Sequence, residues 1–578
     1  MKRIHNIKRT IALFLAMLMA ATSTAFADWD SFQGNSDNNG TYAYGVTSQT
    51  PSTTTVNLPN NGASTGLDVE PLVHGSRVYA FHNGGKNGPV VTAVDATDGS
   101  VLWSKAVSSG VVESRDYIAN VSQVSTPVLS ADGKNLYGVY TYNIDRIYGA
   151  QTDFIPVIVG NRDDNRTKTA SYTGINIPAD YTNLQLDTGL SNPAYDPNNP
   201  GQILTGTATL TNRETKQEYT FSGDSYEGQN FSLYYSGYPY GPIPAGSYDL
   251  EITITNNTNL EVTWRRNRLY TTAWKMFGLS GIDGTDPAPI SSIDLSGNGQ
   301  SASPLTLVNN MVYFGIYDAD RAYFQYNLND NTSTKFVPGN GNSFYYAGAA
   351  VIGSNVVFGS ENGTVYMRPI GNDFSNSEAG KERLLTNAGM IRSSVCYDTR
   401  TGSIYLTSYN GLLWKIPVTN SDFGSVTSVN IQVGNAANSS STPVVSQSGI
   451  VYASVSGYNE KFEGVGAVVA VSVSDFTTAN CIYRGDGVQC SPVVYWDGYF
   501  NTDYVYFTTN VANGAGYCCQ CKYASFNASS LWSVTPDSGG NGYAVQGFAM
   551  GTYFDEELFK AVNFGVFGND SNQLVIVK

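Results

Sequence analysis

The stretch STPVVSQSGIVYASVSG, residues 441–457, reads as two short strands joined by a polar turn. A small residue and Pro443 open it, Val444 and Val445 follow, SQSG makes the turn, and Ile-Val-Tyr-Ala begins the return strand. A relative, CSPVVYWDGYFNTDYVYFTTN, starts 49 residues later at Cys490. Earlier ones are VEPLVHGSRVYAFHNGG from Val69, STPVLSADGKNLYGVYT from Ser125 and ASPLTLVNNMVYFGIYD from Ala302. Weaker ones are GAAVIGSNVVFGSENGTVYMRPI from Gly348, SSVCYDTRTGSIYLTSYNGLLWKIPV from Ser393 and a degenerate unit from Gly547. Self-similarity at a spacing of tens of residues marks a repeat architecture.

The first unit shows what one repeat contains. Residues 70–81 make two strands around HGS, and VVTAVDATDGSVLWSKAV, residues 90–107, makes two more around a turn at residues 95–100. Four up-and-down strands in so short a unit are a β-propeller blade. Eight units predict an all-β, eight-bladed propeller, with seven blades as the alternative because units five and eight are irregular. The last unit lacks an outer strand, and the opening segment has a strand-like run without a unit. Residues 29–32 are therefore expected to close the ring, which would remove an exposed sheet edge.

Ala93-x-Asp95-x-x-Asp98-Gly99-x-x-x-Trp103 resembles the signature of the pyrroloquinoline-quinone-type (PQQ-like) repeat of quinoprotein alcohol dehydrogenases and their non-enzymatic relatives, and Trp29, Phe32 and Gly34 resemble the opening of such propellers. In physical terms Asp95 and Gly99 make the hairpin turn and Trp103 is a wedge between blades. The resemblance implies a quinone site with calcium, a catalytic Asp and a ring of two adjacent cysteines against the cofactor. Cys518 and Cys519 are adjacent, but they fall in the seventh unit, whereas the enzymes carry their pair in an early blade. The calcium set, the catalytic Asp and the cofactor-stacking Trp have no recognisable counterparts. No cofactor is expected; PQQ and Ca²⁺ belong to the alternative reading.

Pro127 and Pro304 lie 177 residues apart, far beyond the spacing of the other units. The excess predicts an insertion over residues 150–271, with the interrupted second blade resuming at residues 273–278 and 290–295. Inside it LTGTATLTNRE, QNFSLYYSG and GSYDLEITITN alternate polar and apolar residues between Gly and Pro turns, the pattern of a small β-sandwich. Tyr234, Tyr235, Tyr238 and Tyr240, near Tyr226 and Tyr248, are candidate ligand-stacking residues, or else the sandwich core.

The N-terminus reads as a secretory signal peptide, residues 1–27. Lys2, Arg3, Lys8 and Arg9 precede an apolar run at residues 11–21 and Ala25-Phe26-Ala27. No Cys follows that run, which argues against a bacterial lipid anchor, and no other stretch approaches spanning length. Without those four cations, 28 of the 32 Lys and Arg remain against 47 Asp and Glu, a net charge of −19. Such a balance disfavours nucleic acid and anionic membrane. A secreted or cell-surface protein with a protein or polysaccharide partner is expected.

Reactive groups are sparse. The mature chain has two histidines, His74 and His82. Gly62, Ser64 and Gly66 match G-x-S-x-G without the strand and helix that give it meaning. Asp95 and Asp98, Asp163 and Asp164, Asp283 and Asp286, and Asp555, Glu556 and Glu557 all fall in expected turns, where Asp is a turn former. Of six cysteines, Cys481 and Cys490 flank a short connection and are placed for a disulfide. The reading is a non-catalytic binding scaffold; the alternatives are a PQQ- and calcium-dependent dehydrogenase and a propeller-type polysaccharide lyase or hydrolase.

Overall fold

The computed structural model describes residues 29–578 apart from 60–68, 84–87, 108–116, 148–165, 182–183, 192–203, 226–229, 236–241, 258–263, 265–266, 302, 340–341, 462, 512–513, 524 and 537–542. The signal-peptide stretch, Gly62, Ser64, Gly66, Asp163, Asp164, Tyr226, Tyr238 and Tyr240 thus lie outside the described residues. Among the described residues there is no α-helix, and the strands form eight sheets.

The run from Ser441 shows why the chain folds this way. Val444–Val445 is an inner strand, Gly449 turns the chain at φ +83°, and Ile450–Tyr458 returns. Residues 450–455 are buried without alternation. Their side chains still alternate in direction. Val451, Ala453 and Val455 pack toward the preceding sheet, while Ile450 and Tyr452 pack toward the following one. A strand with a sheet on each side needs apolar residues on both faces, as a parallel strand between helix layers does.

The first sheet comprises Leu72–His74, Arg77–Asn83, Pro89–Asp95 and Val101–Ala106. The second centres on Val128–Leu129, Asn135–Asp145 and Arg268–Ser280, edged by Ala288–Pro289 and Ser296–Asn298. Sheets three to eight begin at Thr306–Val308, Ala350–Ile352, Cys396–Asp398, Val444–Val445, Val493–Asp497 and Ala549–Asp555. Each packs on the next through one apolar seam. Phe81, Trp103 and Phe277 lie between sheets one and two, and Trp274, Phe314 and Phe324 between two and three. The last seam holds Tyr506 and Trp532 of sheet seven, Phe548 and Phe567 of sheet eight, and Val73 and Val78 of sheet one. The series returns to its start, so the sheets form a ring: the architecture is a β-propeller.

Two expectations need correction. The strand that completes the eighth sheet is Thr53–Asn57, antiparallel to Gln573–Val577, not residues 29–32. Trp29 instead makes an isolated bridge to Val73, at the inner edge of the first sheet. Residues 290–295 are not a strand; the outer edge of the second sheet is made by the short pieces on either side of them.

The inserted residues leave between Asn135–Asp145 and Arg268–Ser280. Their strands run in the order Thr167–Ile177, Gly246–Asn256, Leu204–Asn212, Glu218–Ser225, Asn230–Tyr235 and Leu184–Ser191. The last pairs directly with Arg268–Ser280, so the insert is hydrogen-bonded into the sheet it interrupts. Glu218–Ser225 and Asn230–Tyr235 pair at Ser222 and Tyr234. All six strands contribute to one apolar cluster.

Candidate ligand site at the channel mouth

The residues just before each inner strand converge on the ring axis. Val69, Thr126, Pro304, Tyr346, Ser394, Thr442, Ser491 and Gln546 come from the eight sheets in order and line one cavity of about 280 Å³. These are the positions of the small-Pro element of the repeat. Their hydroxyls have a structural use. The Ala347 amide donates to Ser303 Oγ (3.2 Å), the Gly348 amide to Ser394 Oγ (3.0 Å), the Ser394 amide to Thr442 Oγ1 (3.0 Å) and the Thr442 amide to Ser491 Oγ (2.9 Å). This belt ties neighbouring sheets together and satisfies backbone donors that the narrow channel would otherwise leave unpaired.

The channel is closed at one end by residues 29–46, which cross it as a strap. The Leu129 amide donates to the Asp30 carbonyl, the Val351 amide to Ser36 and the Tyr397 amide to Asp37, each at 2.8 Å. Asn38 Nδ2 donates to the carbonyls of Ala349 and Val395, and the Val445 amide donates to Asn39 Oδ1. Thr41–Tyr42 then pairs in parallel with Val494 and Tyr495. Phe32 is the floor of the cavity. Glu70 anchors the strap: its carboxylate accepts from Trp29 Nε1 (2.6 Å), the Gln33 amide (2.9 Å) and Gln33 Nε2 (3.1 Å). Burial pushes its pKa from 4.5 up to about 7, against the pull of those three bonds.

Opposite the strap lies the other end of the channel. There a groove of about 230 Å³ adjoins the channel, sharing Tyr346, Ser440 and Gln489 with it. Tyr345, Arg392, Tyr409, Asn438, Tyr458 and Asn510 complete its character. The Arg392 guanidinium lies 5.1 Å from the Tyr345 ring and 5.3 Å from that of Tyr409. It also grips Glu361 with two bonds, Nε to Oε1 (3.0 Å) and Nη2 to Oε2 (2.9 Å). Tyr317 continues the aromatic run, its ring 5.1 Å from Tyr345. The adjoining Ala319 packs against the insert core, and Tyr181 of the insert donates to the Thr272 carbonyl (3.1 Å).

The residues singled out in the sequence fall mostly elsewhere. Cys518 and Cys519 are consecutive on Gly516–Lys522 and point to opposite faces, Cys518 into the seam with sheet eight and Cys519 into the seam with sheet six. Both are free, buried thiols; burial raises Cys518 well above its ordinary value and Cys519 to about 12. They therefore form no ring against a channel cofactor. Channel and groove present hydroxyls, amides, tyrosines, apolar side chains, the buried Cys490 thiol and one cation, Arg392, which Glu361 already holds, and no cluster of three metal-ligating side chains occurs among the described residues. The residues present do not fit PQQ with Ca²⁺.

The disulfide expected between Cys481 and Cys490 is not formed. Cys481 lies exposed on an outer strand with Sγ toward the Tyr483 carbonyl, whereas Cys490 Sγ is buried in the channel wall and accepts from the Thr508 amide. Tyr235 and Tyr248 are core residues of the insert, packed around Tyr219. Tyr234 is a strand residue opposite Gln185 and Ser222. Asp95 and Asp98 cap the signature turn, accepting from the amides of Thr97 and Ser100 at 2.8 Å, and Gly99 there has φ +79°. Ala93 sits opposite Trp103, whose Nε1 donates to the Ile282 carbonyl across the first seam (3.2 Å). His74 pairs with Asp30 of the strap (3.1 Å), and His82 is buried against Thr92. Asp286 meets Lys105, and Asp555 caps its own turn.

The groove was missed because its parts stand far apart in sequence. One signal was visible: in SFYYAG the adjacent Tyr345 and Tyr346 occupy the approach to a channel position where other repeats carry small residues.

No protein-family model matches the chain, and no curated protein matches it. Among solved structures it is similar to the WD40 domain of Toxoplasma gondii coronin (11% identity, 53% of this chain and 77% of that one, TM-score 0.33). It is also similar to BamB from Moraxella catarrhalis (9% identity, 53% and 91%, TM-score 0.30). The ring of seams, not these likenesses, carries the propeller assignment. Among the described residues no helix is long and apolar enough to cross a membrane.

Proposed function

We propose that the chain is a secreted, non-catalytic binding propeller of eight PQQ-like blades with a β-sandwich inserted in the second, acting outside the cell or at its surface on a protein or polysaccharide partner. Each sheet is then one blade, and the pairing at Ser222 and Tyr234 is the fold line between the two layers of the sandwich. The observation that carries the binding role is the channel. All eight sheets contribute to it, the strap floors it, and its belt hydroxyls hold backbone amides, which leaves a shaped recess rather than an activated nucleophile. Cys490 fits this: burial pushes its thiol up to about 11, far from the depressed values of reactive cysteines.

The test is a screen of soluble glycans and peptides with wild type and Ser440→Trp, which fills the mouth. Ligands that bind the first and not the second, with no new reducing ends or unsaturated products, support the reading. A ligand held equally by both, or turnover of any glycan, would overturn it. A bound chromophore after addition of quinone and Ca²⁺ would restore the dehydrogenase alternative.

A further inference from the structure

We infer that the groove beside the channel is a binding track for a neutral polysaccharide, an assignment that rests on the binding role proposed above. Tyr317, Tyr345 and Tyr346 form a continuous aromatic path, with ring centroids 5.1 and 4.4 Å apart. Tyr409 and Tyr458 extend it toward sheets five and six, and both are exposed, Tyr458 at 66%. Tyrosines in series suit a ligand that repeats, because each ring offers an apolar face and a polar tip. Sugar rings present the complementary pattern of C–H faces and equatorial hydroxyls. Asn438, Gln489 and Asn510 add amides able to donate and accept at once.

Charge decides between neutral and acidic polymers. Arg392 is the one cation among the described groove residues. Its guanidinium is bound two-fold by Glu361 and flanked by two tyrosines. A uronic acid arriving there would have to displace a partly buried, geometrically matched carboxylate, against the field of a strongly acidic chain. A neutral chain meets neither obstacle. The topology supports an extended ligand: the insert leaves the second sheet from the same kind of hairpin, between second and third strands, that brings Tyr458 and Asn510 to the groove. Tyr317 and Ala319 link the insert to the track.

The test is affinity electrophoresis in gels carrying a soluble β-glucan, a mannan, a neutral xylan or polygalacturonate. At least one neutral polymer is expected to retard the wild type and polygalacturonate is not. Tyr409→Ala and Tyr458→Ala should each weaken that binding about two- to tenfold, the loss of one ring contact, with the melting temperature of Tyr458→Ala unchanged because that side chain is 66% exposed. Glu361→Gln, which frees Arg392, should produce retardation by polygalacturonate. Retardation by polygalacturonate alone, or neutral binding that neither tyrosine variant changes, would overturn the inference. So would retardation by none of the neutral polymers. If a peptide binds and Ser440→Trp abolishes it while the neutral glycans fail, the binding role stands and the glycan assignment falls.

Discussion

Glu70 should make the stability of this propeller fall as pH rises through neutrality. The residue is 1% exposed and holds the strap by three hydrogen bonds. Its folded pKa is raised from 4.5 to about 7. A carboxyl with a raised folded pKa prefers its proton in the native state, so its favourable contribution is complete below about pH 4.5 and is lost as pH climbs through 7. The rise corresponds to ~3 kcal/mol between those limits. Glu70→Gln removes the titration and keeps the shape. The amide oxygen accepts from Trp29 Nε1 and the Gln33 amide as before. The new NH₂ faces Gln33, whose Oε1 is buried without a partner in the wild type and becomes the acceptor once that side chain turns over.

The assay is urea denaturation of both proteins, followed by tryptophan fluorescence at several values between pH 4.5 and 8.5. All other titrating groups are shared and cancel in the difference. The variant should gain on the wild type as pH rises, the gap changing by ~3 kcal/mol over the range. Trp29→Phe adds a second check, since loss of the indole donor removes the largest pull on the carboxylate and should move the transition to higher pH. A gap that does not vary with pH, or one that narrows as pH rises, would refute the reasoning.

Trp103→Ala should cost ~3–5 kcal/mol of unfolding free energy, since it opens a large cavity in the first seam and removes one of the donors to the Ile282 carbonyl, leaving Arg77 and Tyr79 to hold it; chemical denaturation measures it, and a loss below ~1 kcal/mol would remove Trp103 as a wedge. Gly99→Ala should cost ~1–2 kcal/mol because φ is +79° and a Cβ would stand 2.7 Å from Thr54 Cγ2 on the ring-closing strand; Gly75→Ala, also at positive φ but with nothing near its Cβ, should cost less. A thiol reagent should label only Cys481 in the native protein and all six cysteines after unfolding. Rapid native labelling of Cys518 or Cys519, read by peptide mass, would contradict their place in the seams.

The inner half of each blade was legible because both its faces are buried. The small-Pro-apolar start, the Gly turn and the continuous apolar return strand all follow from lying between two sheets, as Ile450–Tyr458 shows. Outer strands obey a weaker rule. Thr332–Phe336 has four exposed residues before its one buried position, and Thr53–Asn57 has a single buried residue, Val56. A polar run such as TTTVN carries no alternation to read, whereas Trp29 and Phe32 carry the apolar pattern of a closing strand. Those aromatics are apolar for another reason: Trp29 packs in the last seam and Phe32 floors the channel. The same ambiguity gives the tyrosines two readings, ligand-stacking surface or sandwich core, and Tyr235 and Tyr248 take the second. Tyr235 and Tyr248 alternate as a sandwich surface would, but the side they share is the inside. The groove was illegible because Tyr345, Arg392, Tyr409, Tyr458 and Asn510 meet only after four blades have closed side by side.

Where the repeat is regular, its polar groups serve the ring. The hydroxyls of Ser303, Ser394, Thr442 and Ser491 each hold a neighbouring sheet's backbone, and Asp95 and Asp98 hold a turn. The strap occupies the other face of the channel with its own backbone and with Asn38 and Asn39. Changing any of these groups alters stability first. The described hairpin tips at the opposite end lie beyond the seams: Tyr458 leaves 66% of its surface in water, while Tyr409 stays tied through its backbone to Met390 and Ser439. Recognition can therefore change there while the ring stays intact, which is how a propeller separates binding from fold. The insert grows from that class of hairpin, and its direct pairing of Leu184–Ser191 with Arg268–Ser280 fixes it to the scaffold rather than leaving it on a linker. A ligand spanning groove and insert would thus meet two surfaces of fixed relation, and its affinity would depend on the junction at Asp145 and Arg268 as well as on the groove tyrosines.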